Sequence, residues 1–373
     1  MDTNLQHAKH SSGDLENGEY VMIDKIEITN FRCFKSQSIG GLKKFNVLVG
    51  PSGSGKTALL EALFLVAGGS AEIYYRLRGW RGLGVGGSLA LALTGTRMSY
   101  ESMFRELFFG FDNKASARVE IVDSKMGYRR LSVSYKPDAE YELPLGEEGI
   151  QNFVQVNPIV FSWKTPHMHV ESKVQSKEGK LQFAGTNDVY PIWLISPSAP
   201  SSYAQHFSDL SKKGESAPVV EEFCKLFPIV KGISLESSAG QMALFVELSP
   251  FKEKMPIGMI SAGMNKYLEI MVSIASNPGG VVLIDEIENG FYYESLTMLL
   301  RSVCRFAEEQ KVQLIATTHS YEFLESFASV MGEGKEQHFN LLRSSRNEDG
   351  SVDIRVSRGP SAKSAIVQHF EVR

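Results

Sequence analysis

Residues 50–57 carry the sequence GPSGSGKT, whose glycines, lysine and threonine are spaced to hold a phosphate group. An apolar stretch at residues 45–49 precedes this segment, and an apolar helical pattern at residues 59–66 follows it. This is the strand, glycine-rich loop and helix order of a P-loop, in which backbone N–H groups and the positive end of the helix dipole face an anion. Lys56 is expected to reach the β- and γ-phosphates, and the Thr57 hydroxyl is expected to bind Mg²⁺. The predicted nucleotide-binding residues of the loop are Gly50, Pro51, Ser52, Gly53, Ser54, Gly55, Lys56 and Thr57.

A second set of candidate residues follows the apolar run at 281–284, which ends in Asp285 and Glu286. A hydrolytic P-loop enzyme needs one acid to hold Mg²⁺ and one group to orient the attacking water. We therefore assign Asp285 to the metal and Glu286 to the water. The paired acids also argue against a small-molecule kinase, which does not activate water.

Two further segments resemble ligand-binding positions. A buried strand at 312–316 is predicted to end near His319, at the sheet edge where parallel sheets bind ligands. His319 is expected to contact the γ-phosphate or the attacking water. Ser261 and Gly263 open a predicted helix, and such a start is either a simple N-cap or an anion site.

The composition of the chain limits the class of protein to which these motifs belong. The 373 residues are 43% hydrophobic and 22% charged, with a formal net charge of −4, so no global basic character indicates nucleic acid. No apolar run approaches the roughly 20 residues of a membrane span, and no secretory signal is visible. The three cysteines are scattered and show no metal-ligand spacing. These features predict a cytoplasmic protein.

The order of elements predicts an α/β fold with a parallel core sheet that a β-rich insertion splits. Apolar strands alternate with helical patterns before residue 69 and after residue 251, whereas period-2 alternation dominates between them. We expect a disordered tail at 1–21 and an N-terminal ATPase segment at 22–69. An insertion lobe is expected at 70–250, and a C-terminal ATPase segment at 251–373.

These motifs, in this order, resemble the ABC-type ATPases of the SMC, RecF and OLD group. The segment IEITNFRCF at 26–34 looks like the opening strand of that group, and IDEIENG at 284–290 looks like its Walker B and D-loop segment. ATTHS at 316–320 resembles its switch-histidine segment. The closest resemblance is to short ATPases related to the ATPase half of OLD nucleases, several of which serve bacterial anti-phage defence.

The resemblance implies an ATP- and Mg²⁺-dependent mechanism in a head-to-tail homodimer or higher oligomer. Each ATP would lie between the P-loop of one subunit and the signature helix of the other, with Ser261 and the Gly263 amide as the contacts in trans. The resemblance also assigns Arg32 to nucleotide binding. The signature, ISAG at 260–263, departs from the LSGG of transporters, and Lys266 stands where relatives often carry arginine.

The chain has no expected room for a TOPRIM nuclease after His319, so a separate effector protein is expected. The leading hypothesis is an ATP-hydrolysing, nucleotide-switched dimer that controls this effector. Two alternatives stay open. The first alternative is an ATP-stabilised scaffold with little turnover, which stores and releases a partner, and the second is a RecF-like DNA clamp in DNA repair. For the clamp, Arg76, Arg78 and Arg81 around Trp80 are a candidate DNA patch. The same residues also fit a solvated loop or a partner-facing surface.

Overall fold

The computed structural model describes residues 21–83, 103–123, 125–136, 141–145, 152–156, 159–177, 180–199, 203–238, 241–332 and 334–368. The predicted tail lies outside these ranges except for Val21. The strands are β1 (Ile23–Phe31), β2 (Phe34–Gly40), β3 (Phe45–Val49), β4 (Ala117–Asp123), β5 (Gly127–Tyr135), β6 (Tyr141–Leu145), β7 (Asn152–Val156), β8 (Ile159–Lys164), β9 (His169–Lys177), β10 (Lys180–Phe183), β11 (Ile192–Ile195), β12 (Val230–Ser238), β13 (Gln241–Leu248), β14 (Met255–Pro256), β15 (Val281–Ile284), β16 (Gln313–Thr317), β17 (Phe339–Arg346) and β18 (Val352–Arg358). The helices are α1 (Lys56–Ala67), α2 (Glu72–Trp80), α3 (Tyr203–Lys213), α4 (Ala217–Leu226), α5 (Ala262–Ala275), α6 (Leu296–Glu309), α7 (Tyr321–Met331) and α8 (Gly359–Val367).

The core sheet has six strands in the order β11-β15-β16-β3-β17-β18. Every neighbouring pair is parallel except β17 and β18, which form an antiparallel hairpin. A seven-stranded antiparallel sheet, β10-β9-β8-β5-β4-β1-β2, lies over one face of this core. Smaller sheets contain β12-β13-β14 and β6-β7. The predicted fold class, α/β with a parallel core sheet and a β-rich middle section, is confirmed.

Strand β15 is apolar throughout, and β3 is apolar except for the buried Asn46, because both faces of the core sheet are covered. Val281 and Leu283 pack with α1 and the seven-stranded sheet, whereas Val282 and Ile284 pack with α5 and α6. Helix α1 therefore lies between the two large sheets. Its buried residues include Glu61 as well as its leucines, which explains why it shows no polar stripe of the usual kind.

The β-rich middle section is not separate from the segments that flank it. Strands β1 and β2 belong to the seven-stranded sheet, and β11 pairs in parallel with β15 at the edge of the core sheet. The side chain of Gln37 on β2 also exchanges two hydrogen bonds with the backbone of Ile354 on β18, at 3.0 and 3.1 Å. The span 70–250 thus contributes a strand to the core itself, while the predicted domain boundaries stay a prediction.

No helix in the described part of the chain combines the length and the apolar character that crossing a membrane requires.

Candidate functional site

The candidate site lies where three neighbouring strands of the core sheet end. The P-loop follows β3, Asp285 and Glu286 follow β15, and His319 follows β16 closely. Strand β16 lies between the other two, so the carboxyl ends of all three meet at one edge. Ligands of open α/β sheets bind at this edge.

The P-loop backbone approaches its neighbours too closely for side chains at two positions. A Cβ atom on Gly50, whose φ is +149°, would lie 2.4 Å from the carbonyl oxygen of Ser344. A Cβ on Gly55, whose φ is +85°, would lie 2.7 Å from the Cys33 sulfur. Gly55 is also the N-cap of α1, and no side chain caps that helix start. Its first amide N–H groups are therefore available to an anion.

The Lys56 ammonium lies against the P-loop. Its Nζ donates hydrogen bonds to the carbonyl oxygens of Gly50, at 2.7 Å, and Pro51, at 2.9 Å. Burial lowers the pKa of Lys56, while Asp285 and Glu286 oppose that shift. A buried cation beside the loop is a suitable partner for phosphate oxygens.

A short hydrogen-bonded chain joins the P-loop helix to the ends of β15 and β16. The Thr57 hydroxyl donates to Asp285 Oδ2 at 3.0 Å, and the Thr317 hydroxyl donates to Asp285 Oδ1 at 2.6 Å. The Thr57 and Asp285 oxygens are hard donors, which fit Mg²⁺. No cluster of three or more His, Cys, Asp or Glu side chains suits a metal within the described residues. An ion here would therefore complete its shell with water and phosphate oxygens.

Glu286 takes a backbone conformation that is uncommon for a residue with a side chain. Its φ is +50°, and its N–H donates to the Thr317 hydroxyl at 2.9 Å. The Asn289 side-chain amide donates to its carboxylate. Glu286 is half-buried, directly after the buried Asp285. Left-handed non-glycine residues cluster at functional sites, where the surrounding structure holds the strain.

His319 is exposed at the end of the segment after β16, and its backbone N–H donates to Glu288 Oε1 at 2.7 Å. The structure thus brings Lys56, Thr57, Asp285 and Glu286 together, with His319 on the adjacent strand end. Ile287 N–H also donates to the carbonyl oxygen of Thr317 at 3.1 Å, which fixes the two strand ends to each other.

Ser261 and Gly263 open α5 beside the loop that follows Glu286. The Ser261 hydroxyl accepts a hydrogen bond from Met264 N at 3.3 Å and is therefore an N-cap within this chain. A Cβ on Gly263 would lie 2.5 Å from the carbonyl oxygen of Gly290, so packing against this loop requires glycine. Their contacts in trans stay a prediction.

Arg32 contacts the P-loop helix α1 in this structure. Its guanidinium pairs with the buried Glu61 of α1, and its side chain is only 10% exposed. Arg81 contacts the same carboxylate through two hydrogen bonds of 2.8 Å each. The nucleotide contact that the resemblance assigned to Arg32 stays a prediction, and the structure gives this residue a different partner.

Two of the three arginines around Trp80 contact carboxylates. Arg78 pairs with Glu106 at 2.8 Å, and Arg81 pairs with Glu61. The Arg76 guanidinium lies 5.8 Å from the centre of the Trp80 ring. Arg76 and Arg78 belong to α2, and Arg81 is the C-cap residue that follows it. Arg81 shares the single carboxylate of Glu61 with Arg32.

Three residues of the site were not assigned from the sequence. Thr317 lies in a segment that was singled out, but its link to Asp285 depends on the pairing of β15 with β16. Ser344 and Arg346 lie on β17, and both contact the P-loop: the Ser344 hydroxyl is 2.6 Å from Ser54 Oγ, and Arg346 donates to the Gly53 carbonyl. No local motif marks them, because only the core-sheet order brings β17 beside β3.

Comparison with protein families supports this class of site. A model described as an AAA domain matches residues 25–189, and a model described as an AAA domain, putative AbiEii toxin, Type IV TA system, matches residues 163–325. Each model matches less than half of the chain, and together with the fold and the site the two matches show a similarity to AAA-domain P-loop ATPases.

Individual relatives cover the chain to different extents. An ATP/GTP phosphatase of Helicobacter pylori is 24% identical, over 91% of this chain and 96% of that protein. The DNA replication and repair protein RecF of Psychromonas ingrahamii is 32% identical over 31% of this chain, and the match spans only 27% of RecF. Among solved structures, the Smc head domain of Pyrococcus furiosus has 14% identity and a TM-score of 0.48, over 94% of this chain and all of that one.

Proposed function

We propose that this protein binds and hydrolyses ATP. The observation that carries the proposal is the Thr57–Asp285 oxygen pair, 3.0 Å apart, between the P-loop helix and the strand end that bears Glu286. This oxygen pair suits Mg²⁺, and it lies between the phosphate-binding loop and the Glu286 carboxylate at one edge of the core sheet. The similarity to an ATP/GTP phosphatase over nearly the whole chain supports hydrolysis rather than binding alone.

In this mechanism the residues of the site bind the phosphates, hold the metal ion or act on the attacking water. The P-loop amides and the Lys56 ammonium bind the β- and γ-phosphates, and Thr57 and Asp285 hold Mg²⁺. The bound ion supplies neutralisation of the phosphate charge that develops during transfer. Glu286 orients the attacking water and accepts its proton, and His319 contacts the γ-phosphate or that water.

Two measurements test this proposal: the equilibrium binding of ATP and the release of phosphate from Mg-ATP. We expect K56A to weaken ATP binding more than about tenfold, because it removes the buried cation beside the loop. The matched control is K35A, since Lys35 is exposed and its ammonium lies 3.5 Å from Asp349, outside the P-loop motif. Wild-type protein that neither binds nor hydrolyses ATP or GTP would contradict the proposal.

We further propose that the ATPase works as a nucleotide-switched head-to-tail dimer, with Ser261 and Gly263 contacting ATP in trans. Their position at the start of α5, beside the loop after Glu286, supports this arrangement because both residues are half-buried and not fully enclosed. Light scattering with Mg-ATP is expected to show a dimer for E286Q and a monomer for S261R/E286Q. A nucleotide-independent mass for both variants would contradict the dimer.

We propose that this switch controls a separate effector in bacterial anti-phage defence. The resemblance to OLD-like ATPases supports this role, as does the family model whose description names a toxin–antitoxin system. Affinity purification of E286Q from its native cell with ATP is the test. Recovery of duplex DNA, with no protein partner, would contradict it.

A RecF-like DNA clamp is the second candidate, which the partial RecF match favours. Against it, Arg78 pairs with Glu106 and Arg81 contacts Glu61, so two of the three arginines of the candidate patch already have carboxylate partners. ATP-dependent duplex binding that R76A/R78A/R81A abolishes would support the clamp, whereas no duplex binding with ATP would exclude it.

A further inference from the structure

The terminal hairpin, β17 and β18, contacts the P-loop from the side opposite β16. The Ser344 hydroxyl is 2.6 Å from Ser54 Oγ and donates to the carbonyl oxygen of Val49 at 3.1 Å. The backbone of Ser344 also lies close to Gly50. A buried residue of β17 therefore holds the loop at Gly50 and at Ser54.

The middle of the loop is held differently. Gly53 has a φ of +74°, and a Cβ built on it would meet no atom within 4 Å, so packing does not restrain this residue. Hydrogen bonds restrain the Gly53–Ser54 peptide at both ends: Ser54 N–H donates to the Pro51 carbonyl oxygen at 3.2 Å, and Arg346 Nη2 and Nε donate to the Gly53 carbonyl oxygen at 2.6 and 3.1 Å. Arg346 Nη1 donates to the Gly350 carbonyl oxygen at 3.2 Å, which ties the guanidinium to the hairpin turn.

The direction of this carbonyl matters for phosphate binding. A P-loop binds an anion because consecutive amide N–H groups point inward, which requires the carbonyl oxygens to point outward. Gly53 can adopt either sign of φ at similar cost, so its peptide can rotate and turn a carbonyl dipole towards the phosphate. The Arg346 guanidinium opposes that rotation because two of its N–H groups bind the Gly53 carbonyl oxygen in its present direction.

We propose that Arg346 is a positioning residue for nucleotide binding, which acts by fixing the Gly53 peptide of the P-loop. The inference rests on the proposed ATP binding and adds a residue that no P-loop motif contains. Arg346 touches the loop and not the reacting atoms, so it should affect nucleotide affinity and leave the hydrolysis step largely intact. Because the guanidinium is exposed, its removal should cost the fold little.

The test measures ATP affinity, KM and kcat for R346A, R346K and the matched control R355A. Arg355 is an exposed arginine on the partner strand of the same hairpin, opposite Arg343. We expect R346A to raise Kd and KM about tenfold while kcat stays within about twofold. R346K should recover part of the affinity, because an ammonium can make one of the two bonds, and R355A should match the wild type.

Melting temperatures without nucleotide separate positioning from folding. We expect R346A and R346K to melt within about 2 °C of the wild type. Wild-type ATP affinity in R346A, or an equal loss in R355A, would overturn the inference and leave the proposed ATPase intact. Failure of the wild type to bind ATP would instead overturn the proposed function and, with it, this inference.

Discussion

Thr317 is the residue that ties the two acids of the site to each other. Its hydroxyl donates to Asp285 and accepts from the backbone N–H of Glu286, and the residue is fully buried. One hydroxyl therefore orients the predicted metal ligand and supports the left-handed backbone of the predicted water-activating residue. Such supporting partners commonly change activity about 10- to 100-fold when removed.

T317V tests this role because valine keeps the shape and removes the hydroxyl. We expect kcat to fall about 10- to 100-fold. The unfolding free energy should fall by about 1–3 kcal/mol, since a buried oxygen and a buried N–H lose their partner. Phosphate release and urea denaturation measure the two effects.

T318V is the matched control. Thr318 is equally buried, but its hydroxyl accepts from Ser320 N at 3.1 Å and does not contact Asp285. Its kcat should stay within about twofold of the wild type. Equal loss of kcat in both variants would show that the segment, and not the Thr317 hydroxyl, determines activity.

At the scale of elements, α1 connects the P-loop to the seven-stranded sheet. Arg129 on β5 is buried and donates to the carbonyl oxygens of Val66 at 2.9 Å and Gly68 at 2.6 Å, at the end of the helix. The Trp163 indole donates to the carbonyl oxygen of Leu65 at 3.2 Å. These donors satisfy the last carbonyls of α1, which no residue of the helix itself can reach.

R129M tests whether the sheet stabilises this helix. Methionine keeps the apolar stem but leaves at least two carbonyl oxygens without their charged donor, so the unfolding free energy should fall by about 2–3 kcal/mol. The control is R118M, because Arg118 is exposed on the outward face of the neighbouring strand β4. Its effect should stay below about 1 kcal/mol. Similar losses for both variants in urea denaturation would contradict the capping role.

The sequence predicted the elements that have a local pattern and missed those that depend on distant pairing. The fully apolar strand β15 and the helix α1 were predicted because covered parallel strands and a P-loop helix have clear local signals. Strand β11 has only four residues, and its place in the core sheet depends on β15, almost ninety positions later. The hairpin of β17 and β18 carries no motif, so Ser344 and Arg346 could not be assigned to the P-loop.

At the scale of the whole molecule, residues distant in sequence build one site on a continuous sheet. The P-loop, the Asp285–Glu286 pair and the terminal hairpin come from both ends of the chain and meet on β3, β15, β16 and β17. The middle section joins them through β11, whose Ile195 carbonyl oxygen accepts from Asp285 N at 2.8 Å. We therefore expect the whole chain, not an isolated half, to be the unit that binds nucleotide.

The most direct test of the central claim compares ATP binding and ATP hydrolysis in E286Q and the wild type. Glutamine keeps the size of the side chain and cannot accept the proton of the attacking water. We predict that E286Q binds Mg-ATP with wild-type affinity and releases phosphate at least about 100-fold more slowly. Phosphate release at the wild-type rate would contradict the assignment of Glu286 and, with it, the proposed hydrolytic site.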